Sequence, residues 1–200
     1  MHFYSLIVTY QFQRLCPLCR VFPGIGEYPN MRFLAIDFET ANYQRTSACA
    51  LGLVKVEDRR IIYKRAYLIR PPQKEFVFDY LHGITWEQVE NEPAFGELWS
   101  HISPLFREVD FIVAHNKSFD RSVLEACCAH AGVAMPQVKF ECTMEQARKL
   151  WNIYPTRLPD VCRHFGIALD HHDALSDTLA CAHIMIKALE RDNSLINHKI

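Results

Sequence analysis

Three short clusters of acidic and histidine residues carry the groups that could do chemistry in this chain. The first is Asp37-Phe38-Glu39-Thr40, at the end of the apolar run Phe33–Phe38. On an extended strand residues i and i+2 point to one face, so Asp37 and Glu39 stand side by side. Two like charges at a sheet edge repel unless a cation lies between them, which suits a hard metal with oxygen ligands. The second cluster is His115-Asn116-Lys117-Ser118-Phe119-Asp120, where another apolar run, Phe111–Ala114, gives way to a helix. The third is His171-His172-Asp173-Ala174-Leu175-Ser176-Asp177, at the start of the last helix. Each has a plain structural account when taken alone. The first reads as a solvated acidic turn, the second as an acid offsetting a helix dipole, and the third as an Asp173 cap.

The elements that must position these clusters follow from hydrophobic period. Phe33–Phe38, Ala50–Val56 and Ile61–Ile69 read as strands, the last two joined by the polar connection Glu57-Asp58-Arg59-Arg60. Thr85 opens a short helix with Gln88 completing a capping box. A longer helix is expected over 94–106, with Pro104 near its end. Phe111–Ala114 is a central strand, and the helix after it carries Val123, Leu124, Cys127, Cys128 and Ala131 before stopping at Gly132. A fifth strand over 138–142 precedes helices at 143–152, 158–165 and 173–191. Strands first, then helices alternating with strands, imply an α/β domain with a mixed five-stranded central sheet flanked by helices.

In order and spacing the three clusters resemble the motifs of the DEDDh exonucleases, the family that includes the proofreading subunits of bacterial replicative polymerases. Asp37-Phe38-Glu39 matches its Asp-x-Glu, Asn116 to Asp120 its Asn-x-x-Phe-Asp, and His172 to Asp177 its His-x-Ala-x-x-Asp. Leu81-His82-Gly83-Ile84-Thr85 resembles a His-Gly-Ile-Thr loop between the first two motifs. A sister subclass has tyrosine four residues before the last aspartate. Here that position is Asp173, so the histidine form fits, with His171 one residue out of register. The chain departs from the common pattern by placing Phe38 between the two acids and Ala41-Asn42 after Thr40.

The resemblance implies a ribonuclease H-like fold and a metal-dependent 3′–5′ exonuclease that releases nucleoside 5′-monophosphates. It implies Asp37, Glu39, Asp120 and Asp177 as ligands of two magnesium ions, with manganese able to substitute. Asp37 would bridge both ions, Glu39 and Asp177 would serve the water-bearing one, and Asp120 the second. His172 would be the general base, since imidazole titrates near neutral pH. Phe38, Thr40, His82, Asn116 and Phe119 are the expected substrate contacts, although core packing accounts for Phe38 and Phe119 equally well. The expected substrate is a nucleic-acid 3′ end, DNA first and single-stranded by preference. RNA trimming is the alternative, because the metal motifs do not sense a 2′-hydroxyl. A non-catalytic nucleic-acid-binding module is the rival from another class. It predicts loss of one of the five polar positions, and all five are present.

Composition first argues against such a partner. The 22 basic and 23 acidic residues leave a net charge of −1, where nucleic-acid binders usually carry a basic footprint. Residues 1–30 contribute Arg14, Arg20 and Glu27, so the chain from Met31 holds 20 basic and 22 acidic residues. Two divalent cations on four of those acids would reverse the sign where the scissile phosphate must lie. The objection then falls away.

No apolar run approaches the roughly 20 residues of a membrane helix. Eight scattered cysteines do not make a disulfide scaffold, and Cys16-Pro-Leu-Cys19 lacks a second pair for zinc. Cys49, Cys127, Cys128, Cys162 and Cys181 read as small buried hydrophobes, which fits a reducing cytoplasmic setting. Residues 1–30 read as a dispensable extension, 31–191 as the exonuclease domain and 192–200 as a short tail. So brief a tail favours a stand-alone enzyme with no obligate protein partner.

Overall fold

Five apolar runs pair into one mixed sheet. The structure, a computed structural model, describes residues 31–191. The strands are β1 (Arg32–Thr40), β2 (Ala48–Glu57), β3 (Arg60–Leu68), β4 (Phe111–Ala114) and β5 (Phe140–Cys142). Their order is β3-β2-β1-β4-β5, antiparallel across β3, β2 and β1 and parallel from β1 through β4 to β5. The β2–β3 connection is a two-residue turn with Asp58 and Arg59 at φ 47° and 63°, the positive values that match the twist of a tight hairpin. The extension with its Cys16/Cys19 pair, and the tail 192–200, lie outside the described residues.

The helices are α1 (Asp79–His82), α2 (Trp86–Val89), α3 (Phe95–Ile102), α4 (Lys117–Ala131), α5 (Thr143–Trp151), α6 (Leu158–Phe165) and α7 (Ala174–Arg191). The capping box at Thr85 and Gln88 forms, with the Thr85 N–H donating to Gln88 Oε1 at 2.7 Å. The single helix expected over 94–106 is instead α3 followed by a 3-10 turn over Ser103–Phe106. Pro104 has no N–H for an α-helical bond, so the chain tightens there. Helix α1 had no signal in the hydrophobic period.

Alternation along β1 divides the interior. Leu34, Ile36 and Phe38 enter a cluster with Leu98 and Trp99 of α3 and Leu124 of α4. Phe33 and Ala35 face the other way, onto Cys181, Met185 and Leu189 of α7. A smaller cluster joins α5, α6 and α7 through Ala147, Val161 and Ile184. The six described cysteines are free and buried, Cys142 among them. Helices thus cover both faces of β1 and β4, and both strands end at the same edge.

Candidate active site

At that edge β1, α4 and α7 each deliver carboxylates. Asp37 and Glu39 leave β1 on the face opposite Phe38. Asp120 sits in the first turn of α4, only 1% exposed, and accepts the Phe38 N–H at 3.0 Å through Oδ1. That bond ties α4 to the one β1 residue between the two acids. Asp177, one turn into α7 and 4% exposed, completes the set. Ligand oxygens of Asp37, Glu39 and Asp177 all lie within 4.8 Å of one another. Asp120 is outside that triad but close enough to raise the Asp37 pKa.

Helix α7 reaches the sheet because β2 has a glycine where the two meet. Gly52 pairs with Asp37 in the β1–β2 register. A Cβ there would stand 2.1 Å from the Ala174 carbonyl oxygen and 2.1 Å from Thr178 Oγ1. Only a residue without a side chain lets the first turn of α7 lie on the strand and bring Asp177 to Asp37. The sequence signal was a lone glycine inside a strand pattern, a mark of close backbone approach.

The electrostatics are those of a site built for cations. Burial raises Asp37 well above the usual carboxylate range, and Asp120, Asp177 and Glu39 push it further. Glu39 is raised to about 8 by burial and then by Asp177 and Asp120. Asp120 is raised to about 7 by burial, against the Phe38 N–H and the Arg45 guanidinium. Burial also raises Asp177, with His171 and the His172 N–H opposing. Buried oxygens normally have partners, yet Asp177 Oδ1 has none. Converging, mutually repelling carboxylates with one oxygen bare fit divalent cations that prefer oxygen donors.

The two histidines before α7 both meet Asp177, one through its ring and one through its backbone. His171 Nδ1 contacts Asp177 Oδ2 at 2.9 Å, and the His172 N–H donates to the same oxygen at 3.2 Å. Their rings stack with centroids 3.8 Å apart. His172 is held at φ 72°, a left-handed backbone conformation uncommon outside glycine. Burial and then His171 lower its pKa while Asp177 raises it, leaving the ring neutral at pH 7. Asp173 caps α7, its Oδ1 accepting the Ser176 N–H at 2.7 Å.

The expected substrate contacts scatter. Phe38 is 3% exposed and packs among α3 and α4, facing away from the acids, so its ring is core and not a base-stacking surface. β1 alternation decides this, since Phe38 lies between two residues that face the site. Phe119 is half-buried with the Arg45 guanidinium 4.6 Å from its ring centroid. Thr40 is buried, and its carbonyl meets His82 Nε2 at 3.2 Å. His82 Nδ1 accepts the Ile84 N–H at 3.0 Å, so both ring nitrogens are engaged within the protein. Asn116 is exposed and left-handed at φ 71°. Gly52, Arg45 and the Asp177 contact of His171 went unread in the sequence.

The comparisons with known proteins agree with this geometry. A family model described as Exonuclease (RNase_T) matches residues 34–185. The chain belongs to the RNase_T exonuclease family and is of the DEDDh type. Exodeoxyribonuclease 10 of Escherichia coli K12 is 32% identical over 167 residues, covering 76% of this chain and 66% of that protein. The PolC-type DNA polymerase III of Caldanaerobacter subterraneus subsp. tengcongensis is 27% identical over 168 residues, 80% of this chain and 12% of that far longer protein. The chain therefore spans less than two thirds of either relative. Among solved structures, Exonuclease X with 5′ overhanging duplex DNA has a TM-score of 0.67 at 24% identity, over 80% of this chain and 93% of that one. The nuclease domain of 3′hExo, a DEDDh family member bound to rAMP, has a TM-score of 0.71 at 16% identity, over 81% and 93%. These likenesses establish the ribonuclease H-like fold of this RNase_T domain.

Proposed function

We propose that the chain removes nucleotides from nucleic-acid 3′ ends and releases nucleoside 5′-monophosphates, with DNA as its first substrate. The convergence of Asp37, Glu39 and Asp177, with an Asp177 oxygen left bare, carries this reading. Asp37, Glu39, Asp120 and Asp177 would hold divalent cations (magnesium, or manganese in its place), which when bound would supply charge neutralisation on the phosphoryl oxygens and a water of lowered pKa. His172, neutral and beside Asp177, takes the proton of the attacking water. The new bond joins that water oxygen to phosphorus, and the bond to the 3′-oxygen of the preceding nucleotide breaks. That oxygen is then protonated from solvent. His171 and the His172 N–H hold one Asp177 oxygen, which leaves the other for a cation.

DNA is favoured because the 32%-identical relative is an exodeoxyribonuclease. The same chemistry acts on RNA, which makes RNA the second arm of the test. Single-stranded DNA, duplex DNA and RNA, each labelled at the 5′ end, are incubated with magnesium or manganese. Stepwise shortening from the 3′ end, stopped by chelation and fastest on DNA, is expected. Internal cuts, or no cutting of any substrate, would refute the reading.

A further inference from the structure

The carboxylate cluster sits at the end of β1, and a cavity opens on each side of it. One, of about 560 Å³, lies over the β2–β3 side between the α1 loop with His82 and the His171–Asp173 loop. The other, of about 430 Å³, lies beyond the end of β4 and is lined by His115, Asn116, Arg148, Tyr154, Thr156 and Arg157. A strand whose scissile phosphate rests on the cluster must extend to both sides. Its terminal nucleotide occupies one side, and the rest of the chain leaves by the other.

The β4-side cavity has the chemistry of a single-strand path. Tyr154 is 67% exposed, an aromatic face held at the surface. Arg148 and Arg157 are exposed and have no ion pair among the described residues. The carboxylates nearest in sequence, Glu145 and Asp160, are taken by Lys117 at 2.8 Å and by Arg163 at 3.0 Å. The floor is fixed: His115 Nδ1 meets Thr143 Oγ1 and its Nε2 meets the Thr156 carbonyl, each at 2.9 Å. Arg148 Nε donates to Thr156 Oγ1 at 2.9 Å, which orients that guanidinium while leaving its terminal nitrogens available. Unpaired guanidinium groups suit phosphate, and an exposed ring beside them suits a base, the combination by which proteins hold single strands without reading sequence.

We infer that this cavity binds the strand 5′ of the scissile phosphate, with Arg148 and Arg157 on its phosphates and a base stacked on Tyr154. The inference rests on the exonuclease reading and adds the residues of this chain that hold the strand upstream of the cut.

The test compares a substrate that reaches the cavity with one that does not. Wild type, Arg157→Ala, Tyr154→Ala and the double variant are assayed on a 5′-labelled dT8 oligonucleotide and on the p-nitrophenyl ester of thymidine 5′-monophosphate. The ester carries a terminal nucleotide and no upstream strand. Each single change is expected to lower the oligonucleotide-to-ester ratio of kcat/KM about tenfold, as a lost base stack does, through KM and not kcat. An unchanged ratio would overturn the inference, including the case where both substrates decline together. In parallel, fluorescent dT8 binding to wild type and the variants is followed by anisotropy in calcium. Weaker binding in the variants supports the strand path even if wild type cuts nothing, which would overturn only the exonuclease reading. Equal binding across the variants would overturn the strand path itself.

Discussion

Two polar sites flank the end of β4 and β1, and they are opposites. Beside β4, His115 is enclosed with both ring nitrogens bonded, and burial lowers its pKa to about 4, so it stays neutral. Beside β1, four carboxylates crowd together, all with raised pKa values, and one buried oxygen has no partner. Both sites hold polar groups away from water. At His115 the fold satisfies them, which fixes the start of α5 to the α5–α6 loop. At the carboxylates the fold holds Asp120 Oδ1 and Asp177 Oδ2 but leaves Asp177 Oδ1 without a partner among the described residues, an oxygen that a cation can take. The crowding of mutually repelling acids around the bare oxygen sets the carboxylate site apart, since Gln73 Oε1 and Gln146 Oε1 are also buried without a partner but have no such cluster around them.

The largest expected break in this contrast is Asp37→Asn. Activity should fall beyond the roughly 10⁴-fold limit expected for loss of a lone general base, because the cation site itself is damaged. Stability should move the other way. Carboxylates whose folded pKa is raised bind more protons folded than unfolded between the ordinary value near 4.5 and about 8 for Glu39, so cation-free protein loses stability as pH rises through that window. Asp37→Asn should therefore melt higher than wild type at pH 8 without divalent ions. Magnesium should raise the wild-type Tm more at pH 8 than at pH 5. Thermal scans in EDTA and in magnesium at both pH values check this.

Next in size is His172→Ala, expected to lower kcat about 10²–10⁴-fold while magnesium still raises the Tm. An unchanged kcat would remove His172 from the proton-transfer role. Gly52→Ala sharpens the comparison from the backbone side. The added methyl forces α7 off β2, so it should cost about 1–3 kcal/mol of stability and reduce activity together, as read by urea unfolding and a nuclease assay. A fully active, fully stable Gly52→Ala protein would show that α7 does not depend on that contact.

The smallest effect belongs to His115. Its folded pKa lies near 4, below its ordinary value of 6.5, so the unfolded chain binds the extra proton between those pH values. Stability is lost as pH falls from 6.5 toward 4, by on the order of 2 kcal/mol. His115→Gln should flatten that dependence in unfolding curves taken from pH 7 to pH 4.5.

Much of this was legible in one sequence, and the reason is local. Asp37 and Glu39 share a face because a strand has period 2, and Asp120 and Asp177 fall in first turns because their helices begin at recognisable places. The β4 run and the starts of α5 and α6 could be read for the same reason. What escaped depended on side-chain placement within a loop and on approach between distant segments. His171 looked like a neighbour of His172 until its ring was seen on Asp177, six residues ahead. Phe38 was open between core and site until β1 had a core on both faces.

The sequence by itself determined the ligand types, their order and the elements that carry them, because periodicity and capping are written in runs of adjacent residues. Only the tertiary structure decided that α7 lies against β2 at Gly52, that Asp177 Oδ2 is held and Oδ1 is bare, and that cavities open on both sides of the cluster. Those outcomes depend on which backbones come within contact distance, and contact between residues a hundred or more positions apart is a property of packing, which no local pattern encodes.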